Sequence, residues 1–263
     1  MQTVEQAIDP HFRVEVVAKT PNPQQLVWLS AHQCVCEGIA IDDPSPSEED
    51  AGKYVVKHLL AGHRGHYSPL EAPQISFNVS GFNHRTMQQI RTHRIGVHYS
   101  VQSLRYTSDR FVQFSKESRG DEYIPGVLNL SREDVEMLEA LIYLRPVGAY
   151  TDRQGKRYDY TPQQRENDLA FAAHSIQYYA RRMGMGYSEE HAAGLLPMDT
   201  RQHWVMSFNV RSLMHLLDLR AAKNAQLECQ QLCQLIFPHF KKWVPSLAEW
   251  YETNRWEKAR LSP

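Results

Sequence analysis

The stretch Arg91-Thr92-His93-Arg94-Ile95-Gly96-Val97-His98-Tyr99-Ser100-Val101-Gln102-Ser103-Leu104-Arg105-Tyr106 gathers three arginines, two histidines and a terminal Ser-x-Arg-Tyr into one short segment. Arginine presents a planar fork of donors matched to phosphate oxygens and keeps its charge at any relevant pH. A cluster built from Arg therefore points to oriented binding of a phosphate. The same residues also suit a solvated basic helix end, and residue types alone leave both readings open.

Upstream, Asn83 to Arg94 has a helical pattern. Gln88 and Arg91 lie one turn apart, as do Arg91 and Arg94, while Met87 and Ile90 form an apolar stripe elsewhere. Pro73 to Gly81 alternates apolar Ile75, Phe77 and Val79 with polar residues and predicts a half-buried strand. Before it, Ser68 as cap, Pro69 first and Glu71 third read as a helix start, whose free backbone N–H groups also suit an anion. Phe12 to Ala18 predicts a strand and Pro23 to about Ile39 a helix. Ser47 with Asp50 opens the next helix, which Gly62 and Gly65 end.

Downstream, Ser131 with Asp134 caps one helix, and Thr161-Pro162-Gln163-Gln164 opens another that runs to about Met183. Between them, Arg145 to Tyr160 reads as a loop with a short strand. Arg211 to about Phe237 is the longest helical pattern, stopped by Pro238, and Ser246 to Trp256 forms a last short helix. At about 100° per residue, Arg211 and His215 nearly share a face while Arg220 points half a turn away, so this helix offers donors in two directions. The fold class expected is α+β: a central antiparallel or mixed sheet with helices packed around it, in one domain over 1–263.

With 263 residues and 42% apolar content the chain can bury a sizeable core. Its net charge of −1 argues against a nucleic-acid binder held by a broad basic field, so the arginine cluster is local. The first twenty residues hold no signal-peptide run and no stretch has the length of a membrane span, which predicts a cytoplasmic protein without a membrane partner. Cys34, Cys36, Cys229 and Cys233 are expected as reduced core thiols. No histidine or second pair near Cys229 and Cys233 completes a zinc set, so no metal is expected.

The arginine-rich segment resembles the signature of the flavin-dependent thymidylate synthases, in which Arg-His-Arg is followed by seven residues, a Ser and then Arg-Tyr. Here it is stretched: Thr92 splits the first Arg from His93-Arg94, and eight residues separate Arg94 from Ser103. His66-Tyr67-Ser68-Pro69-Leu70-Glu71 is similar to a second stretch of that family, and Asn209-Val210-Arg211-Ser212 through Leu219-Arg220 to a third. The resemblance covers about 50 to 237 with the three motifs in order. It implies that FAD is held by His66, Ser68, Glu71, Arg91, His93, Arg94, Ile95, Asn209, Arg211 and His215. It implies that the nucleotide is held by Gln88, Arg91, Gln102, Ser103, Leu104, Arg105, Tyr106 and Arg220. Arg220 is then the catalytic residue, favouring the ionised uracil ring of dUMP. NADPH and methylenetetrahydrofolate are implied as co-substrates, and a homotetramer with sites at subunit interfaces as the assembly.

Three departures stand out. His215 replaces an Asn of some members, and both donate and accept hydrogen bonds. Gln102 stands near where a carboxylate is often found. Ala193 occupies the place of an arginine that holds the nucleotide, and loss of such a contact weakens binding by ~1.5–3 kcal/mol, roughly ten- to hundredfold. Either Arg91 and Arg105 suffice, or a nearby arginine such as Arg182 or Arg201 substitutes, or the chain is an altered or inactive form. No cysteine has the Pro-Cys-His context of the classical thymidylate synthases, and Ser103 lacks a nucleophile elbow. The rival readings are a related flavin-dependent methylase or hydroxymethylase acting on UMP or dUMP, and an RNA-binding module with Tyr99 and Tyr106 stacking bases.

Overall fold

The computed structural model describes residues 7–63, 65–118, 130–152 and 154–258. In chain order its elements are β1 (Arg13–Lys19), α1 (Pro23–Gln33), α2 (Glu48–Val55), β2 (Gln74–Asn83), α3 (His84–Ile90), β3 (Val97–Val101), α4 (Leu104–Thr107) and α5 (Asp109–Glu117). There follow α6 (Arg132–Leu141), β4 (Gly148–Thr151), β5 (Arg157–Tyr160), α7 (Pro162–Gly184), α8 (Glu189–Ala192), β6 (Arg201–Asn209), α9 (Val210–Arg220), α10 (Leu227–Trp243) and α11 (Pro245–Asn254). The chain divides into two compact units. The first draws on Met1–Val79, Gln89–Ser100 and Trp204–Pro263, the second on Ser80–Gln88 and Val101–His203.

A four-stranded sheet of order β1-β2-β6-β3 lies for most of its length in the first unit. Ser76 meets Ser207 side chain to side chain at 2.7 Å, and the Asn209 N–H reaches the Gly96 carbonyl at 3.3 Å. In the second unit the His84 N–H meets the Thr200 carbonyl at 2.9 Å, and that of Gln102 the His203 carbonyl at 2.9 Å. As one number rises the other falls, so β2, β6 and β3 run antiparallel. The alternation in β2 buries Ile75, Phe77 and Val79 as expected. Edge strand β1 is covered by α10, whose His239 ring nitrogen lies 3.2 Å from the Val14 carbonyl.

Helix α9 is anchored by fully buried Leu213, Leu216 and Leu217, each worth about 1.5–3 kcal/mol of burial. Its buried Asp218 accepts from the Tyr251 hydroxyl at 2.9 Å and pairs with Arg255. Removing either partner of such a buried pair costs about 3–5 kcal/mol because the other charge is left uncompensated.

The second unit packs α5, α6 and α7 around Phe111, Phe114, Leu138, Ile176 and Tyr179. Both expected capping boxes form there, Ser131 with Asp134 and Thr161 with Gln164. The Arg145–Tyr160 region holds two short strands rather than one, a hairpin pairing Gly148 with Tyr160 and Thr151 with Arg157.

Several expectations need correction. Helix α1 ends at Gln33 and not near Ile39, because the Gln33 carboxamide bonds the Gly38 carbonyl and the Ala40 N–H, both at 3.0 Å, and holds those residues in a loop. Ser68 caps no helix: Ser68–Glu71 is a single 3₁₀ turn preceded by Tyr67, with no side-chain cap. The Arg211–Phe237 pattern is two helices, α9 and α10, with a turn at 221–226 closed by Gln230 donating to the Ala225 carbonyl at 2.7 Å. Pro238 lies inside α10, where burial of Phe237, Phe240 and Trp243 on either side outweighs the lost backbone bond. Cys229 and Cys233 are buried thiols, whereas Cys34 is exposed and Cys36 half-buried; all four are free.

Candidate active site

Helix α3 stops at Ile90, so Arg91 and Arg94 do not share a helical face as their spacing predicts. Its last carbonyls are shared between the N–H groups of Thr92 and His93, at 3.4 and 3.2 Å, and side-chain hydroxyls. The Tyr99 hydroxyl donates to the Ile90 carbonyl at 2.8 Å, and the Thr92 hydroxyl donates to that of Gln89 at 2.7 Å. Residues 91–96 then form an irregular turn leading into β3.

That turn is clamped by the start of α9. Asn209 caps the helix, its Oδ1 accepting the Ser212 N–H at 2.7 Å, and the Ser212 hydroxyl donates to the Ile95 carbonyl at 2.7 Å. Gly96 has φ 67°, and a Cβ there would fall inside van der Waals contact of Asn209 Nδ2 and Ser212 Oγ. The first and last residues of the Asn-x-Arg-Ser motif thus hold the backbone of the arginine-rich segment in place. Arg211 turns away and pairs with Glu71 at 2.7 Å. His66 and Ser68 are exposed on the segment that carries Glu71.

At the other end of α9, Arg220 bonds three residues of the same segment. Nε donates to His93 Nε2 at 3.0 Å, Nη1 to Gln89 Oε1 at 3.1 Å, and Nη2 to the Gln89 carbonyl at 3.2 Å and Thr92 Oγ1 at 2.8 Å. All these acceptors are neutral, so the guanidinium charge is oriented without being cancelled by them. His93, 8% exposed, has its pKa pushed down to about 4, first by burial and then by the charges of Arg220 and His215. Its ring is neutral near pH 7, which its role as acceptor from Arg220 requires.

Thr92, His93, Arg94, Ile95, Val97, Ser212, His215, Leu219 and Arg220 line a cavity of about 280 Å³. His215 meets His93 edge to face at 5.3 Å, and its Nδ1 is buried without a hydrogen-bond partner. A buried ring nitrogen left unpaired is costly, and a ligand in the cavity would satisfy it. Ile95 is 86% exposed at the rim, an apolar side chain available to a ligand. This lining fits a flavin: an apolar wall of Ile95, Val97 and Leu219, a neutral imidazole and an unpaired imidazole nitrogen.

The depressed His93 pKa makes a stability prediction. Between about pH 6.5 and 4 the unfolded chain binds a proton at His93 that the folded chain does not, so stability rises with pH across that window. The contribution is complete above about 6.5 and is lost as pH falls toward 4. Thermal melts over this range are expected to fall less steeply for His93→Gln than for the parent, and equal slopes would contradict the assignment.

The residues of the second unit that the resemblance gives to the nucleotide have partners of their own. Gln88 is exposed and contacts the His84 ring at 3.1 Å. Gln102 has a buried Oε1 with no partner, and Ser103 caps α4, its hydroxyl accepting the Arg105 N–H at 3.4 Å. Leu104 packs on the helical core. Arg105 pairs with Glu190 at 3.0 Å and lies over the exposed Tyr106 ring. Ala193 sits in a 3₁₀ turn directly after α8. Arg201 cannot substitute for the missing arginine: it is buried, donating to the Glu139 carbonyl at 2.7 Å and the Gly81 carbonyl at 2.6 Å, with Tyr143 against its guanidinium. Arg182 lies over Tyr187 at 4.8 Å.

Sequence reasoning missed Gln89, Gly96 and Ser212 as parts of this site and treated Thr92 only as an insertion. The signal for Gly96 was present, since a lone glycine between the basic cluster and a strand marks a close backbone approach.

The sequence model of the family described as thymidylate synthase complementing protein matches residues 15–246. The chain is 27% identical over 267 residues to the flavin-dependent thymidylate synthase of Halobacterium salinarum, covering 96% of this chain and 100% of that protein. It is 26% identical over 260 residues to the protein of the same name from Haloarcula marismortui, covering 95% and 99%. Among solved structures, Thymidylate Synthase X from Helicobacter pylori with FAD and dUMP matches with a TM-score of 0.64 at 19% identity, over 86% of this chain and 92% of that one. The UMP/dUMP methylase PolB from Streptomyces cacaoi bound with 5-Br dUMP matches with a TM-score of 0.65 at 19% identity, over 96% and 97%. Both likenesses are of fold.

Proposed function

We propose that this chain, which belongs to the family of thymidylate synthase complementing proteins, the flavin-dependent thymidylate synthases, makes dTMP from dUMP. A methylene group passes from methylenetetrahydrofolate to carbon 5 of the uracil ring and is reduced with electrons that NADPH has passed to FAD, leaving tetrahydrofolate. The observation that carries the reading is the cavity between the arginine-rich turn and α9, where Arg220, neutral His93 and the unpaired Nδ1 of His215 meet.

The bound flavin supplies the redox chemistry, and the protein supplies orientation and charge. His215 Nδ1 offers a hydrogen bond to the ring system, and Arg91, Arg94, Ile95 and Arg211 complete its surroundings, with His66, Ser68 and Glu71 on a second segment. Asn209 is a positioning residue, since its carboxamide oxygen is committed to the cap. Arg220 stabilises negative charge on the uracil ring, the state in which carbon 5 is nucleophilic. Gln88, Arg91, Gln102, Ser103, Leu104, Arg105 and Tyr106 hold the rest of the nucleotide.

We read the chain as one domain of this family, because a single match runs through both units. It assembles as a homotetramer with sites at subunit interfaces. Phe171, Tyr178 and Met185, at seven-residue intervals on or just beyond α7, are 61%, 44% and 65% exposed, the stripe a subunit contact would cover. Among the described residues no helix is long and apolar enough to cross a membrane, and the four free cysteines suit the reducing cytoplasm. No nucleic-acid partner is needed.

Anaerobic turnover of dUMP against UMP with FAD, NADPH and the folate donor, read by product mass, tests the reading. A yellow preparation forming dTMP supports it. Preference for UMP would favour the related methylase or hydroxymethylase, and a colourless protein that refuses FAD and binds RNA would overturn it. Ala193→Arg should tighten dUMP binding by roughly tenfold, since one charge-assisted phosphate contact is worth about that factor. An unchanged dissociation constant by titration calorimetry would mean that the phosphate is already fully held by other arginines.

A further inference from the structure

We propose that His32, Cys36 and Asp43 form a surface site for a zinc-type divalent cation, separate from the residues assigned to flavin and nucleotide. One donor atom from each, an imidazole nitrogen, a thiol sulfur and a carboxylate oxygen, lies within 4.8 Å of the other two. Nitrogen, sulfur and oxygen on three side chains with an open fourth position is a set that suits zinc and its borderline-soft neighbours. It does not suit magnesium or calcium, which take oxygen.

Local structure brings the three together. The Cys36 N–H bonds the His32 carbonyl at 3.0 Å, one helical turn that continues past the end of α1 and sets His32 and Cys36 on the same face. A 3₁₀ turn at Ala40–Asp42 then reverses the chain, with the Asp43 N–H on the Ala40 carbonyl at 3.3 Å. The Asp43 carboxylate thereby reaches His32 Nε2 at 2.6 Å. Gln33 fixes the intervening loop through Gly38 and Ala40, and Trp28 stacks on the His32 ring at 4.8 Å and 13°, holding its plane. The backbone of the site is therefore fixed before an ion arrives, which lowers the ordering cost of binding.

A His–Asp hydrogen bond alone would close this loop, but it has no use for a thiol. The Cys36 Sγ makes only weak contacts, 3.3 Å to the Gly38 carbonyl and 3.5 Å from Gln33 Nε2. A tetrahedral ion with bonds of ~2.0–2.3 Å separates its ligands by roughly 3.4–3.6 Å. To reach that spacing the His32–Asp43 pair, at 2.6 Å, opens by about 1 Å. Binding would release the thiol proton to solvent and tie the end of α1 to the loop that leads into α2.

The test uses the full-length reduced protein, stripped with a chelator and titrated with Co²⁺ as a spectroscopic stand-in for Zn²⁺. Expected is a thiolate-to-cobalt charge-transfer band that saturates at one equivalent and is displaced by Zn²⁺. Cys36→Ser should abolish the band, Cys34→Ser should leave it, and His32→Ala or Asp43→Asn should weaken affinity by roughly tenfold or more, since losing even an outer-shell partner costs that much. Absence of the band, its survival in Cys36→Ser, or indifference to both His32→Ala and Asp43→Asn would overturn the proposal. Thermal melts of each variant without metal verify folding, and a rise in the parent's melting temperature with Zn²⁺ that Cys36→Ser lacks is the second readout.

Discussion

Arg220→Ala is expected to cut dTMP formation by roughly 10²–10³-fold, the usual loss when a preorganised group facing developing negative charge is removed. NADPH-driven flavin reduction should remain largely intact, because the side chain is assigned to the nucleotide. The geometry adds a second consequence. Arg220 donates to His93, Gln89 and Thr92, so the alanine variant also frees the turn at 89–93. Removing its charge takes away one of the causes that lower the His93 pKa, which should rise from about 4 while burial, the larger cause, keeps it below 6.5. Proton NMR titration of His93 measures that shift independently of catalysis. Arg220→Lys keeps a charge but not the planar fork that serves three residues at once, and should recover only part of the rate. Formation of dTMP within a few-fold of the parent in Arg220→Ala would remove the role assigned here.

Sequence reached the features that depend on neighbours along the chain. The alternation of Ile75, Phe77 and Val79, and the boxes of Ser131 with Asp134 and Thr161 with Gln164, are short-range chemistry, and all appear as read. The end of α3 was out of reach for the opposite reason. The groups that terminate it, from Tyr99, Thr92 and Arg220, include one about 130 positions away, and periodicity carries no information about that encounter. The same limit explains Arg201, a basic residue that looked available for phosphate until its buried bonds to Glu139 and Gly81 appeared. The opposed directions of Arg211 and Arg220, by contrast, follow from helical geometry alone, and the two meet different segments, Glu71 and residues 89–93. Asn209 was legible as a motif residue but not in its role, because a cap and a ligand contact need the same polar side chain.

Gly96→Ala should be a strongly damaging single-methyl change, because strain and collision act together there. At φ 67° an alanine pays the left-handed penalty of ~1–2 kcal/mol, and its Cβ collides with Asn209 and Ser212. Relieving that collision displaces the cap of α9, worth ~0.5–2 kcal/mol, together with the Ser212 bond to the Ile95 carbonyl. The sum, roughly 3 kcal/mol, corresponds to a fall of about 6–12 °C in melting temperature for a chain of this size. Gly186→Ala separates the two causes: its φ of 83° brings the same backbone penalty, but nothing lies within 4 Å of the added methyl. That variant should lose about half as much stability and retain its flavin. Gly96→Ala should be purified largely without flavin, because the 91–96 turn that lines the cavity can no longer sit against α9. Equal melting temperatures and equal flavin content in the two variants would show that the Asn209–Ser212 clamp on Gly96 does not shape the site.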